Sequence, residues 1–379
     1  MALTPRAATA VMFFALGIAL GFWSGASATI VARVGIGDLT YGVALTLFTG
    51  AYLAAMSSAG AIAHRFTLKR ALIAAAIAAG PMLAALLLAE NVVGYFTLQA
   101  GFGFLCGLVD LTMNATGARI ERSLAKPILA SLHGSASAGV AVGAAVGGVL
   151  VVSAAPWLSC ILVIAALWAA AATVAYAIPA DRGDPVGAVT APRGALMSRT
   201  LVVIGLVIGV SIACESAAMA WSALVLRQEA PQWAALAGLG ASFFAGCQAC
   251  LRFNADRLRA RVADRRLIQI SLAVAALGFL LVAARLGFAV SVAGFAVIGF
   301  GTGAVVPCGF ALAASRPGVS AAVGLSTAAF FGAFARVPAP LVTGAVAQAL
   351  SLSGAFALFA LLLAAAVAAT AGLERADAA

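Results

Sequence analysis

Long apolar segments alternate with short polar connections along the whole chain. About 20 apolar residues are enough for a helix to cross the hydrocarbon core of a bilayer. The pattern predicts twelve such spans, numbered 1 to 12 in chain order: 8–32, 41–63, 71–89, 92–115, 129–152, 157–178, 200–226, 233–251, 267–284, 288–312, 319–346 and 351–373. We therefore expect an all-α polytopic membrane protein, because helices satisfy their own backbone hydrogen bonds in lipid.

Composition agrees with the lipid bilayer as the main surrounding of this chain. Its 379 residues are 64% hydrophobic and 9% charged, against roughly 25% charged in soluble proteins. The net charge of +10 raises the question of nucleic acid. However, the basic residues lie in short connections between apolar segments, which is the membrane-topology pattern. We expect no nucleic-acid partner.

The positions of Lys and Arg predict the orientation. Of the 22 basic residues, 18 precede span 1, follow an even-numbered span or follow span 12. Three follow odd-numbered spans, namely Arg33, Arg227 and Arg285, and Arg336 lies inside span 11. By the positive-inside rule, both termini are expected in the cytoplasm.

The chain also divides into two similar parts. Residues 179–198 are rich in Pro, Gly and charge, which predicts a cytoplasmic linker between an N-terminal half, 1–178, and a C-terminal half, 199–379. Each half holds six spans and carries its main basic connection between its second and third spans. Two six-span halves in parallel repeat are typical of secondary transporters.

Three short stretches resemble motifs of a known family. They are DLTMNATGARIE at 110–121, SLHGSASAGVAVGAAVGG at 131–148 and CESAAMAWS at 214–222. They are similar to motifs of the small bacterial inner-membrane permeases of the fucose permease group, within the major facilitator superfamily. In the third stretch the family's Asp falls on Ala220. The resemblance implies twelve helices in two pseudo-symmetric halves around a central cavity, and a bacterial inner (plasma) membrane as location.

The superfamily's signature after the second helix, G-x-x-x-D-R-x-G-R-[RK], is retained in part. His64 stands at its acidic position, where it is either a pH-dependent element of the gate or an interfacial polar residue. The resemblance implies a cytoplasmic gate formed by Gly60, His64, Arg65, Arg70, Arg252, Asp256 and Arg257.

Charged residues inside the spans are the strongest functional candidates. A charge at mid-bilayer costs about 2.5–3.5 kcal/mol, so such residues indicate function by default. A rise of about 1.5 Å per residue places Glu215 roughly 24 Å from Arg199 and Arg336 roughly 30 Å from Arg316. The two could pair, or each could meet a proton or part of a substrate. A fixed structural ion pair is the alternative.

Asp110 and His133 form a second candidate pair. Helical rise places both roughly 10–14 Å inside the cytoplasmic face. They could form a proton relay or an inner gate, because His titrates near neutrality. Alternatively, they are a structural hydrogen-bonded pair between spans 4 and 5.

Uncharged residues complete the predicted site. Trp23 and Trp221 could stack on a ring of the substrate, although aromatic residues in spans more often pack. Asn114, Gln99 and Gln248 are neutral donors and acceptors at plausible cavity positions. The glycine-rich stretches of spans 4, 5 and 10 predict close helix packing.

These patterns predict a secondary active transporter, most simply a monomer, that moves a small solute by alternating access. The solute is a sugar or a small polar or anionic metabolite, and protons are the expected coupling ion. A proton-coupled drug or metabolite exporter is the main alternative, although span 5 lacks the proline of the exporters' G-P-x-x-G-G signature. A membrane enzyme would need a converging catalytic set, and a receptor would usually carry a soluble appendage. We interpret all six cysteines as small buried hydrophobic residues and expect no cofactor or metal.

Overall fold

Twelve helical spans make up the computed structural model, which describes residues 3–58, 66–153, 156–179 and 198–377, the side chains of 372–377 excepted. The spans are Pro5–Val34, Asp38–Ser57, Leu68–Leu87, Val92–Leu124, Leu129–Val152, Pro156–Ala177, Arg199–Glu229, Pro231–Arg259, Asp264–Ala283, Phe288–Ala314, Ala321–Ala349 and Leu352–Ala371. The predicted number of spans and the all-helical fold are confirmed.

Spans 10 and 11 are each broken into two helices. Span 10 consists of Phe288–Thr302 and Val305–Ala314, and span 11 of Ala321–Arg336 and Ala339–Ala349. A proline lies at or just after each break, and proline lacks the N–H that would continue the ladder. Arg336 therefore ends a helix in the middle of the bundle.

The internal packing of the first six spans recurs in the second six. Span 1 packs on span 5, span 2 on span 4 and span 3 on span 6, and the same pairs recur as 7 with 11, 8 with 10 and 9 with 12. The halves meet where span 5 packs on span 8, span 2 on the second helix of span 11, and span 1 on span 7. Most of the predicted linker, residues 179–198, lies outside the described residues, so the half boundaries stay predictions.

Glycines let the backbones of neighbouring spans approach closely. A Cβ on Gly17 of span 1 would lie 2.1 Å from the carbonyl oxygen of Ala136, and one on Gly143 of span 5 would lie 2.2 Å from that of Ile18. Span 4 uses Gly103 in the same way against span 2. Such small-residue contacts are the usual packing surface between helices in lipid, as the glycine-rich stretches predicted.

The cysteines correct one prediction. Four of them, Cys106, Cys160, Cys214 and Cys308, are buried, but Cys247 is half-buried and Cys250 is exposed. The reason is that Cys250 lies on the outward side of the helix Leu239–Arg259, away from its contacts with spans 5 and 10.

The connections between the spans lie on two opposite faces of the bundle. The basic face is the one where span 1 begins and where connections 125–128, 260–263 and 315–320 lie. The opposite face carries connections 35–37, 88–91 and 350–351. On the basic face, Glu121 Oε2 accepts hydrogen bonds from the backbone N–H groups of Ile128 (2.7 Å) and Leu129 (2.9 Å), and so caps the start of span 5.

Candidate functional site

A cavity lies between the two halves at the middle of the bundle. Spans 1, 2 and 4 of the first half and spans 7 and 11 of the second half line it. Its empty space is about 870 Å³, including the part continuous with solvent. Four of the predicted site residues line this cavity: Trp23, Asp110, Trp221 and Arg336.

Tyr52 connects the two charged residues of the cavity. Its hydroxyl donates a hydrogen bond of 2.6 Å to Asp110 Oδ2. The guanidinium carbon of Arg336 lies over its ring, 4.8 Å from the centroid. Asp110 belongs to the first half and Arg336 to the second, so this one aromatic side chain contacts charges from both.

Asp110 is bonded within its own half rather than to His133. Its Oδ1 accepts a hydrogen bond of 3.0 Å from Asn114, whose amide also donates to the Asp110 carbonyl oxygen at 2.8 Å. His133 lies edge-on to Phe13 of span 1, with ring centroids 5.2 Å apart. The structural alternative, an Asp110–His133 hydrogen bond, is therefore not formed among the described residues: helical rise estimates the depth of a side chain but not the neighbour toward which it points.

Arg336 has no anionic partner. Within the described part of the chain it forms no ion pair, and its Nε is buried without a hydrogen-bond acceptor. A buried donor without a partner costs about 1–3 kcal/mol, and more when it is charged. The arrangement therefore leaves a cation available to an acceptor that enters the cavity.

Glu215 pairs with Arg252 and not with Arg336. Arg252 Nη2 lies 3.0 Å from Glu215 Oε2. The family resemblance implied a place for Arg252 in the cytoplasmic gate, in a connection that was predicted to begin after residue 251. The helix continues to Arg259, which places Arg252 inside the span. The possible Glu215–Arg336 pair is replaced by this ion pair between spans 7 and 8.

A polar network extends from this ion pair to both halves. Arg252 Nη1 donates to Ser137 Oγ of span 5 at 2.8 Å, and that hydroxyl donates to Gln248 Oε1 at 3.0 Å. Gln248 Nε2 in turn donates to Thr302 of span 10 at 3.3 Å. Gln248 therefore belongs to an interhelical network and not to the cavity wall.

The two tryptophans of the cavity are fixed by their neighbours. Trp23 donates from Nε1 to Gln99 Oε1 at 3.2 Å and stacks on Phe48, with centroids 5.4 Å apart. Gln99 is fully buried, so it supports Trp23 from behind. Trp221 packs edge-on against Tyr41, 4.8 Å between centroids.

The halves are joined by hydrogen bonds on the side of the opposite face. Ser24 and Ser27 of span 1 donate to the carbonyl oxygens of Met219 and Ala220 in span 7, and Tyr41 donates to that of Ala220 at 2.8 Å. Arg227 Nη1 also donates to the carbonyl oxygen of Ala28 at 3.0 Å. These contacts close the bundle between the cavity and the opposite face.

The predicted gate residues are distributed differently. Gly60, His64 and Arg65 lie outside the described residues. Arg70, Asp256 and Arg257 are exposed on the basic face. Near them the structure adds an ion pair that the sequence analysis did not include, Arg259 with Asp264 at 2.7 Å.

Tyr52, Ser137 and Thr302 were not predicted as site residues. One signal was available for Tyr52. It is one of only four tyrosines and lies within a span, whereas tyrosine in membrane proteins prefers the interface. No comparable sequence signal distinguishes Ser137 or Thr302 from the other small hydroxyl residues of the spans.

Sequence comparison finds related transporters. No protein-family model matches the chain. The transporter y4wD of Sinorhizobium fredii is 27% identical over 311 residues, which are 80% of this chain and 81% of the relative. An MFS-type transporter of Yersinia pestis is 24% identical over 371 residues, 95% of this chain and 94% of the relative.

Solved structures share the fold. A mutant of the nucleoside transporter NupG aligns with a TM-score of 0.73 at 13% identity, covering 97% of this chain and 99% of that one. The fucose:proton symporter FucP of E. coli aligns with a TM-score of 0.57 at 16% identity, covering 97% of each chain. The predicted fold is confirmed, and the relatives are transporters rather than enzymes.

Proposed function

We propose that this chain is a membrane transporter of the major facilitator superfamily. In this proposal it moves a small sugar or a small polar or anionic solute by proton-coupled transport. One observation carries the proposal: Asp110 and Arg336 come from different halves and meet the same central cavity, joined through Tyr52. A solute and a proton bound there would both change the contacts between the two halves.

Asp110 is the proposed proton site. It lines the cavity, and its oxygens accept from Tyr52 and Asn114. Cys106 of the same span also lines the cavity, and His133 of span 5 and Arg336 of span 11 are the nearby titratable or charged groups. A proton on Asp110 removes its negative charge and weakens the hydrogen bond from Tyr52. The ring of Tyr52 also contacts Arg336.

Alternating access would break the contacts between the halves on one face at a time. Hydrogen bonds from spans 1 and 2 to span 7 close the side of the opposite face. When that face opens these bonds would separate, and the contact of span 5 with span 8, which includes the Arg252–Ser137 hydrogen bond, would keep the basic face closed. The halves 1–178 and 199–379 move as units in this scheme, with 179–198 as the linker.

We propose that the protein is a monomer in a bacterial inner membrane. Its basic face and both termini would lie in the cytoplasm. The basic connections on that face support this assignment.

The proposal is tested with purified protein in proteoliposomes. Uptake of sugars, sugar acids, amino acids and short organic acids is measured with and without an imposed pH gradient. The proposal expects at least one solute whose accumulation needs the gradient and collapses when a protonophore is added. Accumulation that does not depend on the gradient would contradict proton coupling. The absence of any flux for solutes that bind would contradict the proposed transport function.

A further inference from the structure

The central cavity combines an arginine that forms no ion pair with any described residue and a wall that is mostly apolar. We infer that it binds a small monocarboxylate, with the carboxylate group on Arg336 and an apolar or aromatic body against spans 1, 2 and 7. This inference rests on the proposed function and narrows the class of its solute.

The arginine provides the anion end of the site. Its Nε is buried without an acceptor, and its guanidinium lies over the ring of Tyr52 at 4.8 Å. The ring attracts the cation and holds it at the cavity, and the donors at the edge of a guanidinium match the two oxygens of a carboxylate. A carboxylate in the cavity would therefore meet a guanidinium that forms no ion pair with the described residues.

The acid of the cavity does not offer an equivalent site for a cation. Both oxygens of Asp110 already accept hydrogen bonds, from Tyr52 at 2.6 Å and from Asn114 at 3.0 Å. A cationic solute would compete for a satisfied carboxylate while facing the charge of Arg336. The asymmetry favours an anion over a cationic drug.

The charged residues of the cavity lining favour a solute with a single negative charge. Arg336 is the one cation and Asp110 the one acid among the described residues that line the cavity. A phosphate ester or a dicarboxylate would bring a second charge without a second cation to receive it, which is unfavourable in a site lined mostly by apolar side chains. With a proton on Asp110, a single carboxylate would leave the occupied cavity neutral.

The rest of the wall favours an apolar body. Its large side chains include Leu16, Leu20, Trp23, Phe48, Met219 and Trp221. Two of its hydroxyls are already used within their own helices, since Thr49 donates to the Leu45 carbonyl oxygen at 3.0 Å and Thr343 to that of Ala339 at 2.7 Å. A sugar would bring several hydroxyl groups to this wall, and each one left unpaired lowers affinity.

Matched ligand pairs test the inference by binding alone. The thermal unfolding midpoint of the detergent-purified protein is measured with 3-phenylpropionate, 3-phenylpropanamide, hexanoate, hexanamide and galactose. Each acid and its amide share size and shape and differ in charge. We expect both monocarboxylates to raise the midpoint by about 2 °C or more at saturation, and the amides and galactose to leave it unchanged.

Variants identify the residue responsible. Arg336→Gln should weaken binding of 3-phenylpropionate at least about 10-fold, as the loss of a charged hydrogen-bonded pair predicts. Arg336→Lys should retain part of the affinity, because it keeps the charge without the fork. Arg261→Gln, an exposed arginine on the basic face, is the matched control. If Arg336→Gln does not fold, Met219→Ala replaces it and should weaken the acid several-fold.

Three outcomes would overturn the inference: equal binding of acid and amide, full binding of the acid to folded Arg336→Gln, or stabilisation by galactose but by neither monocarboxylate. The last outcome would leave the proposed function standing with a different solute. If instead the monocarboxylates bind through Arg336 but show no flux in proteoliposomes, the assigned ligand class holds and the proposed transport of it fails.

Discussion

Arg252 Nη2 lies 3.0 Å from Glu215 Oε2, and each side chain retains 17% of its exposure. The same guanidinium donates to Ser137 of the first half. The acid in the apolar span 7 is therefore retained as the partner of Arg252, which also bonds the first half on the side of the basic face.

Replacing Glu215 by Gln should lower stability. Gln keeps the shape of the side chain but leaves Arg252 without its anion, and the loss of one charged hydrogen bond is worth about 1–3 kcal/mol. The thermal unfolding midpoint in detergent measures this. Ser137→Ala removes a neutral acceptor of the same arginine and should cost less. Equal midpoints for wild type and Glu215→Gln would show that the pair does not stabilise this state.

Close packing between spans 1 and 5 should tolerate no side chain at Gly143. A Cβ there would lie 2.2 Å from the carbonyl oxygen of Ile18, so Gly143→Ala must separate the two backbones. We expect a clear loss of folded protein in detergent, followed by fluorescence-detected size exclusion. Gly50→Ala is the control, because no atom lies within 4 Å of the position and alanine favours the helix. Similar losses in both variants would contradict the packing argument.

The hydrogen bond from Tyr41 to the Ala220 carbonyl oxygen, 2.8 Å long, should hold the opposite face closed. Tyr41→Phe keeps the ring against Trp221 but removes this bond, which is worth about 0.5–1.5 kcal/mol. The population open at that face should then rise roughly two- to tenfold. A cysteine at Thr343, in a cysteine-free background, would report it by faster reaction with an impermeant maleimide from that side. An unchanged labelling rate would mean that the tyrosine hydroxyl does not hold the closure.

Tyr52→Phe should separate binding from coupling. The ring that lies under Arg336 remains, so a bound solute should keep its affinity within a few-fold. The hydroxyl that bonds Asp110 is lost, so gradient-driven uptake should fall more than equilibrium binding does. Titration and uptake on the same preparation make the comparison. A parallel fall in both would show that the hydroxyl serves the binding site itself.

Hydropathy was sufficient to predict the twelve spans, because each apolar segment has the length that the bilayer requires. The breaks near Pro307 and Pro338 also have a local cause, the missing N–H of proline. Glycine spacing predicted the close contacts of spans 4, 5 and 10 for a similar local reason. These features depend on residues that are near each other in the chain.

The partners of the charged residues could not be predicted in this way. Helical rise places a residue at a depth but does not say toward which neighbour it points. Glu215 and Arg336 were placed at similar depths, yet the first turns toward span 8 and the second toward Tyr52 of span 2. Arg252 was placed in a connection because a polar sequence ends the apolar run before the helix ends.

Proton movement coupled to solute movement tests the central claim most directly. Proteoliposomes that contain an internal pH indicator are given the solute with the largest thermal stabilisation, with wild type and Asp110→Asn in parallel. Wild type should acidify the lumen as solute enters, and Asp110→Asn should still exchange labelled for unlabelled solute without any pH change. Acidification by Asp110→Asn at the wild-type rate would contradict Asp110 as the proton site of this cavity.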